Sequence, residues 1–515
     1  MLDPELPRYP SIVHALRASA SRYAERAALV CEGRRLSYAE LARMVLGLSE
    51  RLTRLGVAGE PVVVLAPTSI EAIVAVLAVL CAGARVAPVN PFFTVPELNV
   101  VLREVDARVV ICSPDASRKV GPLAAVWRID TLLTLGGGGA DALDLRAWAH
   151  GQGLDWTQAA EPLPEHPAVL IFTGGTTGEP KAVEHSHRSL MVSVLQHCSV
   201  WRVALGAERF LSAAPIFHIW GLFYATFVPL YAGGTLVIVP KFDPEAVLSA
   251  IGSEQISVFG GGPAPAYMSL LQSPSFGATD FSSLKYCLSG GAACPEELQR
   301  EWARRTGCAL LEGWGMSEAA PLCLSSPAAH KLLSVGQAVP ETEVEVVDVE
   351  TGSRVLEAGE AGEVRVRGPQ LMLGYRGRLD ATREILRDGW LYTGDIGYLD
   401  REAHLFLIDR KKDMIIVGGY NVYPRQVDEV LFRHPEVAEA ACVGRPDARL
   451  GEVLVAFVVL EPGARLDAAG FFEYCRGELV KYRRPVSVTF VSSLPRTNAR
   501  KLDKKALRAL AASST

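Results

Sequence analysis

The sequence predicts an α/β fold: a large N-terminal domain of parallel-type sheets covered by helices plus an antiparallel β unit, then a small α+β C-terminal domain. Strand-like and helix-like patterns alternate through residues 1–340, the rhythm of parallel sheets with helical crossovers. From about Pro340 the pattern changes to period-2 segments joined by short turns, which argues for antiparallel strands. A chain of 515 residues is also too long for one hydrophobic core.

In chain order, "SYAELARMVLGLSERLTRLGV" opens on a Ser-x-x-Glu capping signature, Ser37 and Glu40, and continues with apolar residues at helical spacing. Pro61–Pro67 reads as a strand, and Ala72–Ala84 as an apolar core helix, too short to span a bilayer, which takes about 20 residues. "ARVAPVN" is the next strand, and the glycines at 136–139 mark a surface loop. The alternation continues through "GTLVIVP", "SVFGGGPAPAYMSLLQ", "LKYCLSGG" and "EELQREWARRTG". "TEVEVVDVETG", "GEVRVRG" and "EAHLFLIDR" are the period-2 segments, and a charged run, Asp409–Asn421, carries the expected domain boundary. The last hundred or so residues read helix, strand, strand, helix, strand.

Composition narrows function. Net charge −5 with 21% charged and 49% hydrophobic residues gives no electrostatic case for nucleic acid or an anionic membrane. Ten scattered cysteines without a CxxC pair or a Cys/His cluster read as buried thiols, neither a disulfide frame nor a metal site. The opening "MLDPELPRYPS" has no basic segment followed by an apolar one, so no secretory signal is expected and the expected residence is cytoplasmic.

The densest stretch is Thr173–His187, "TGGTTGEPKAVEHSH", just after the apolar strand Ala168–Phe172. Glycine and proline weaken helix and strand alike, so the run is expected to be a loop. Glycines let backbone N–H groups curl inward on an anion; Thr173, Thr176 and Thr177 add hydroxyls and Lys181 a positive charge. It is not a Walker A sequence, because Glu179 and Pro180 separate Gly178 from Lys181 and Ala182 follows the lysine. By its residues alone the loop suits either a phosphate or a polar surface turn.

Four further motifs follow: "EGWGMSE" (Glu312–Glu318), "YTGDIGYLD" (Tyr392–Asp400), "DRKKDMIIVGGYNVYP" (Asp409–Pro424) and "PRTNARK" (Pro495–Lys501). With "FTGGTTGEPK" in front, the ordered set resembles the adenylate-forming superfamily of acyl-CoA synthetases, firefly-type luciferases and nonribosomal adenylation domains. The likeness is to its fatty-acid and 4-coumarate ligase-like branch, over essentially the entire chain.

That resemblance implies site residues. Thr173, Gly174, Gly175, Thr176, Thr177, Gly178 and Lys181 would cradle ATP phosphates, with Thr173 also catalytic and a weaker Mg²⁺ ligand. Glu312, Gly313, Trp314, Gly315, Met316 and Ser317 would run along the acyl-adenylate, with the Trp314 indole stacked on adenine where the family usually has tyrosine. Glu318 would be catalytic as the main Mg²⁺ ligand, since an ionised carboxylate only accepts. Gly290, Gly291 and Ala292 would lie along the adenine ring, Asp395 would accept from the ribose hydroxyls, and Ile408, Arg410 and Lys412 would complete the nucleotide side.

Residues 409–412 would be a hinge between a domain at 1–408 and a small mobile domain at 413–515. Gly418 and Gly419 would line the pantetheine path of coenzyme A. Lys501 would be the catalytic cation bridging the carboxylate and the α-phosphate. Two positions depart from the family pattern: Ala182 and Arg500 stand where glycine is usual.

The segment Ala214–Gly234, "APIFHIWGLFYATFVPLYAGG", resembles the branch's acyl pocket. Phe217, His218 and Trp220, with Gly290 and Gly315, would line it, His218 being either a catalytic gate or a hydrogen-bonded core residue. No lysine or arginine in the segment could pair with a second carboxylate, and the aspartate that would bind an α-amino group is not evident. The implied function is an ATP-dependent acid–thiol ligase that turns a hydrophobic monocarboxylic acid, fatty or aryl, into its acyl-CoA through acyl-AMP. The implied partners are the acid, ATP, Mg²⁺ and coenzyme A, with no nucleic acid and a monomer or homodimer as assembly. Transfer to a carrier protein or another acceptor, and a catalytically silent nucleotide-binding relative, are the alternatives.

Overall fold

The computed structural model describes residues 1–136, 142–150, 154–173, 180–496 and 502–513. Contacts divide them into two compact units, one taking residues 1–173, 180–343 and 367–391, the other 344–366 and 392–513.

Among the described residues of the first unit are two large sheets. One has the strand order Gly374–Tyr375, Ala182–Ser186, Pro167–Phe172, Arg85–Pro88, Pro61–Leu65, Val109–Cys112, Thr131–Leu135, Ala142–Leu143. Its interior pairs are parallel and its first two pairs antiparallel. The other runs Gln337–Ala338, Ala319–Leu324, Leu310–Met316, Tyr286–Gly290, Val258–Gly262, Arg209–Ser212, Thr235–Ile238, Ala27–Cys31, Arg34–Ser37. It is parallel except at its two ends.

Strand alternation explains the layers. Val62 and Val64 of the first sheet share a core cluster with Leu29, Leu236 and Leu288 of the second and with the helix Ile70–Cys81, whose residues are all buried except Glu71. The intervening residues point the other way. Val63 and Val110 meet the helices Val95–Val105 and Pro114–Ala124, and Phe259 and Cys287 meet Pro244–Ser253, Ala264–Gln272 and Glu296–Thr306. The capping box is present at Tyr38–Arg54: Ser37 accepts from the Glu40 backbone and Glu40 from that of Ser37.

The loop expectation for 173–187 is corrected over its second half. Ala182–Ser186 is a strand antiparallel to Pro167–Phe172, and a helix starts at His187. Glycine and proline stop at 180, so nothing in Ala182–Ser186 opposes pairing, and Val183 packs inward on Met372 and Tyr375.

In the second unit, Tyr420–Val422, Ile415–Val417, Gly451–Leu460 and Val437–Asp447 form an antiparallel sheet, with Ser487–Phe490 parallel to Gly451–Leu460. One face buries Val427, Leu431 and Phe471 from two helices, and the other Leu507 and Ala511 of the terminal helix Lys504–Ser513. The contact division falls earlier than the expected boundary at 409–412. The strands Trp390–Leu399 and Leu405–Arg410 lead directly into the turn Lys411–Asp413, and Lys411 pairs with Glu363 at 2.7 Å.

Asp409, Asp413, Lys504 and Arg508 tie that turn to the terminal helix: Lys504 Nζ lies 3.3 Å from Asp409 and 3.6 Å from Asp413, and Arg508 lies 2.5 Å from Asp413. Nearby, part-buried Asp428 accepts from Cys442 N at 2.6 Å, and desolvation pushes its carboxyl up to about 7. A carboxyl raised above its unfolded value favours folding while protonated, and that contribution fades as pH rises from about 4 through 7. Asp428→Asn keeps an acceptor without the charge. Denaturant unfolding is therefore expected to show a gain of up to about 4 kcal/mol near about pH 8 and none near about pH 4.

Candidate active site

The glycine-threonine run connects two antiparallel strands. Phe172 pairs with Ala182, the amide of Thr173 donates to the Lys181 carbonyl at 3.1 Å, and that of Lys181 donates back to Thr173 Oγ1 at 3.3 Å. These two bonds close the neck of the connection. Gly174, Gly175, Thr176, Thr177 and Gly178 lie outside the described residues, as do Lys501 and Arg500.

From that neck Lys181 extends its ammonium over the Tyr375 ring, 4.8 Å from the centroid. The Tyr375 hydroxyl donates to Glu318 Oε1. Glu318 is 6% exposed and sits in the turn joining Leu310–Met316 to Ala319–Leu324. His185 Nε2 lies 2.8 Å from the Ser317 carbonyl, an oxygen that can only accept, so this nitrogen carries the proton. Burial holds His185 below the usual imidazole range, the Ser317 bond opposing in part, so it braces the turn as a neutral group. Neither Tyr375 nor His185 was assigned a role from sequence, since no motif marks a lone tyrosine in "LMLGYRG" or the first of two histidines in "EHSH".

Leading into the turn, Glu312 is buried and accepts from Gln299 Nε2 at 2.7 Å. Trp314 is buried, Gly315 exposed, Met316 and Ser317 half-buried. On the next strand Gly290 pairs in register with Gly313. A Cβ on Gly290 would stand 2.8 Å from the Gly313 carbonyl and 2.8 Å from the Trp220 ring, so the indole lies directly against backbone. Gly291 has φ +78° and is exposed with Ala292.

Trp220 also stacks on Tyr224, centroids 5.6 Å apart at 16°, and Tyr224 presses on Gly260, where a Cβ would fall 2.3 Å from the ring. The indole Nε1 and the Tyr224 hydroxyl are buried without a hydrogen-bond partner. His218 caps the short helix Ile219–Leu222, its Nδ1 accepting from Trp220 N at 3.3 Å, and Phe217 beside it is half-buried. A π-helical turn follows at Phe223–Phe227, a distortion that often marks functional sites. A surface cavity of about 620 Å³, lined by Pro67, Ser69, Glu71, Ser113, Leu143 and Arg146 among others, contains none of the predicted residues.

Within the second unit, Asp395 and Arg410 are cross-strand partners, Arg410 Nε 2.7 Å from Asp395 Oδ1. Asp395 is buried, its amide donates to Thr393 Oγ1 at 3.1 Å, and Arg410 is half-exposed. Ile408 is half-buried on the same strand. Lys412 follows in the turn, its ammonium held below the usual range by desolvation, against the charge of Asp413. Gly418 and Gly419 have φ +56° and +86° and form the two-residue connection of the hairpin Ile415–Val417 to Tyr420–Val422, a turn that requires left-handed backbone at both positions.

A family model described as AMP-binding enzyme matches residues 16–376, and one described as AMP-binding enzyme C-terminal domain matches 426–501. A long-chain-fatty-acid–CoA ligase of Bacillus subtilis is 34% identical over 525 residues, spanning 96% of this chain and 93% of that protein. A feruloyl-CoA synthase of Amycolatopsis sp is 37% identical over 481 residues, spanning 92% and 94%. Among solved structures, ATP-bound MatB from Rhodopseudomonas palustris superposes with TM-score 0.89 at 30% identity, covering 98% of this chain and 99% of that one.

The Gly290–Trp220 contact is directly testable. Gly290→Ala forces either the strand pair or the indole to move, so a loss of about 1–3 kcal/mol of stability is expected. Tryptophan emission should shift with it. Unchanged stability and emission would show that the contact has slack.

Proposed function

The chain belongs to the AMP-binding enzyme family, and from that premise we propose that it joins a hydrophobic monocarboxylic acid to coenzyme A at the expense of ATP, releasing AMP and pyrophosphate. The observation that carries the reading is the set Lys181, Tyr375 and Glu318, a cation and a buried carboxylate beside the neck of a glycine-threonine connection.

In this reading the carboxylate oxygen of the acid attacks the α-phosphorus and the bond to pyrophosphate breaks. The thiol sulfur of coenzyme A then attacks the acyl carbon and AMP leaves. Neither step needs a protein nucleophile: the acid's carboxylate is the nucleophile of the first, and adenylation gives the second a good leaving group. Thr173, the loop at 174–178 and Lys181 hold the phosphates, and Asp395 with Arg410 holds the ribose. Lys501 offsets the repulsion between the two reacting anions. A swing about residues 409–412 would then exchange Lys501 for the Gly418–Gly419 turn, a conformational step of the lid type.

The donor set fits Mg²⁺. Glu318 is a buried carboxylate that can only accept, the kind of hard oxygen ligand Mg²⁺ takes beside phosphates. Glu318 with Thr173 would hold it, and when bound it neutralises phosphate charge.

The acid is hydrophobic in this reading because Phe217, Ile219, Trp220 and Phe223, the neighbours of His218 in the chain, are all apolar. Trp220 and Tyr224 fill the space over Gly290 and Gly260 with stacked rings. No helix among the described residues is long and apolar enough to cross a membrane.

The deciding experiment is acid-dependent pyrophosphate exchange, followed by AMP release with coenzyme A, over straight-chain acids, benzoates and cinnamates. Exchange and coenzyme-A-dependent AMP release with hydrophobic acids are expected. AMP release only with a carrier protein would replace the thiol acceptor, and no exchange with any acid would point to a silent relative. Lys501→Ala should slow adenylation about 10²–10³-fold and leave thioester formation from supplied acyl-AMP nearly intact. Asp395→Ala should weaken ATP binding about tenfold, and unchanged affinity would remove the ribose assignment.

A further inference from the structure

We propose that Tyr375 is a positioning residue of the nucleotide site, its hydroxyl fixing the Glu318 carboxylate while its ring carries the Lys181 ammonium. The inference rests on the reading of Glu318 as the magnesium carboxylate and Lys181 as the phosphate cation. It adds a single side chain that sets the distance between them.

The tyrosine is itself fixed from several sides. Tyr375 pairs with Val183 and Gly374 with Glu184; Leu373 N donates to Glu184 O at 2.8 Å and Arg376 N to Ala182 O at 2.9 Å. The Tyr375 amide donates to Thr382 Oγ1 at 2.9 Å. Met372 N donates to the Glu318 carbonyl at 2.9 Å, so one short segment is bonded both to the strand that follows Lys181 and to the turn that carries Glu318. Tyr375 is 8% exposed.

The chemistry needs a phenol. A carboxylate only accepts, so a hydroxyl donor orients it without competing for its charge, and one oxygen is committed to Tyr375. The ring does a second job. A lysine and a glutamate free to meet directly would pair and cancel, whereas cation–π attraction parks the ammonium on a partner that a triphosphate displaces.

The test compares Tyr375→Phe and Tyr375→Leu with the parent enzyme, using Mn²⁺ binding by electron paramagnetic resonance in the presence of α,β-methylene-ATP, and nucleotide affinity without metal. Tyr375→Phe keeps the ring, so metal-free nucleotide affinity should stay within about twofold while Mn²⁺ affinity falls about fivefold. Tyr375→Leu should weaken both. Equal Mn²⁺ affinity in Tyr375→Phe and parent, or identical behaviour of the two variants, overturns the proposal. Glu318→Gln separates the layers: if it weakens Mn²⁺ binding and Tyr375→Phe does not, only the tyrosine's role fails. If Glu318→Gln leaves Mn²⁺ binding unchanged, the magnesium reading fails and the proposal with it.

Discussion

Every backbone amide and carbonyl of a buried strand needs a partner, and Ala182–Ser186 finds them on both edges, from Pro167–Phe172 on one side and Gly374–Tyr375 on the other. The candidate site of the first unit depends on this double pairing. The first ladder closes the neck at Thr173 and Lys181; the second delivers Tyr375 to Glu318. His185, on the same strand, reaches the Ser317 carbonyl from the middle of the ladder. A cation and an acid far apart in sequence are thus placed by main-chain hydrogen bonds.

A second constraint is steric. Gly290 and Gly313 face each other across a parallel pair, and Trp220 and Tyr224 lie against Gly290 and Gly260 with no room for a side chain. Glycine here removes the Cβ that would hold aromatic rings off the backbone; it is not serving a turn. Gly418 and Gly419 illustrate the opposite use, since their positive φ values are demanded by the hairpin. A tight turn and a tunnel lining would select glycine equally, so the turn geometry alone does not carry the coenzyme A assignment.

Much of this was legible in the sequence. Period and capping residues placed the helix at Tyr38–Arg54, the apolar helix at Ile70–Cys81 and the strands on either side of it, because burial imposes alternation that a reader can count. The motif residues Asp395 and Arg410 were assigned to one function, and the fold makes them cross-strand neighbours. What was missed shares one cause: it depends on strand order. The glycines and proline before Ala182–Ser186 mask its strand character in the sequence, and its pairing partner at 374–375 lies almost two hundred residues away. Tyr375 gains its place only from that partner.

The proposed chemistry has a carboxylate attack the α-phosphorus of ATP. Isotope transfer tests it most directly: an accepted acid labelled with ¹⁸O in both carboxylate oxygens is turned over with ATP and coenzyme A, and the phosphorus products are analysed by mass. One labelled oxygen per turnover is expected in AMP, because the bond cleaved by the thiol lies on the acyl side of the bridging oxygen. Label in orthophosphate, with ADP as the nucleotide product, would contradict it.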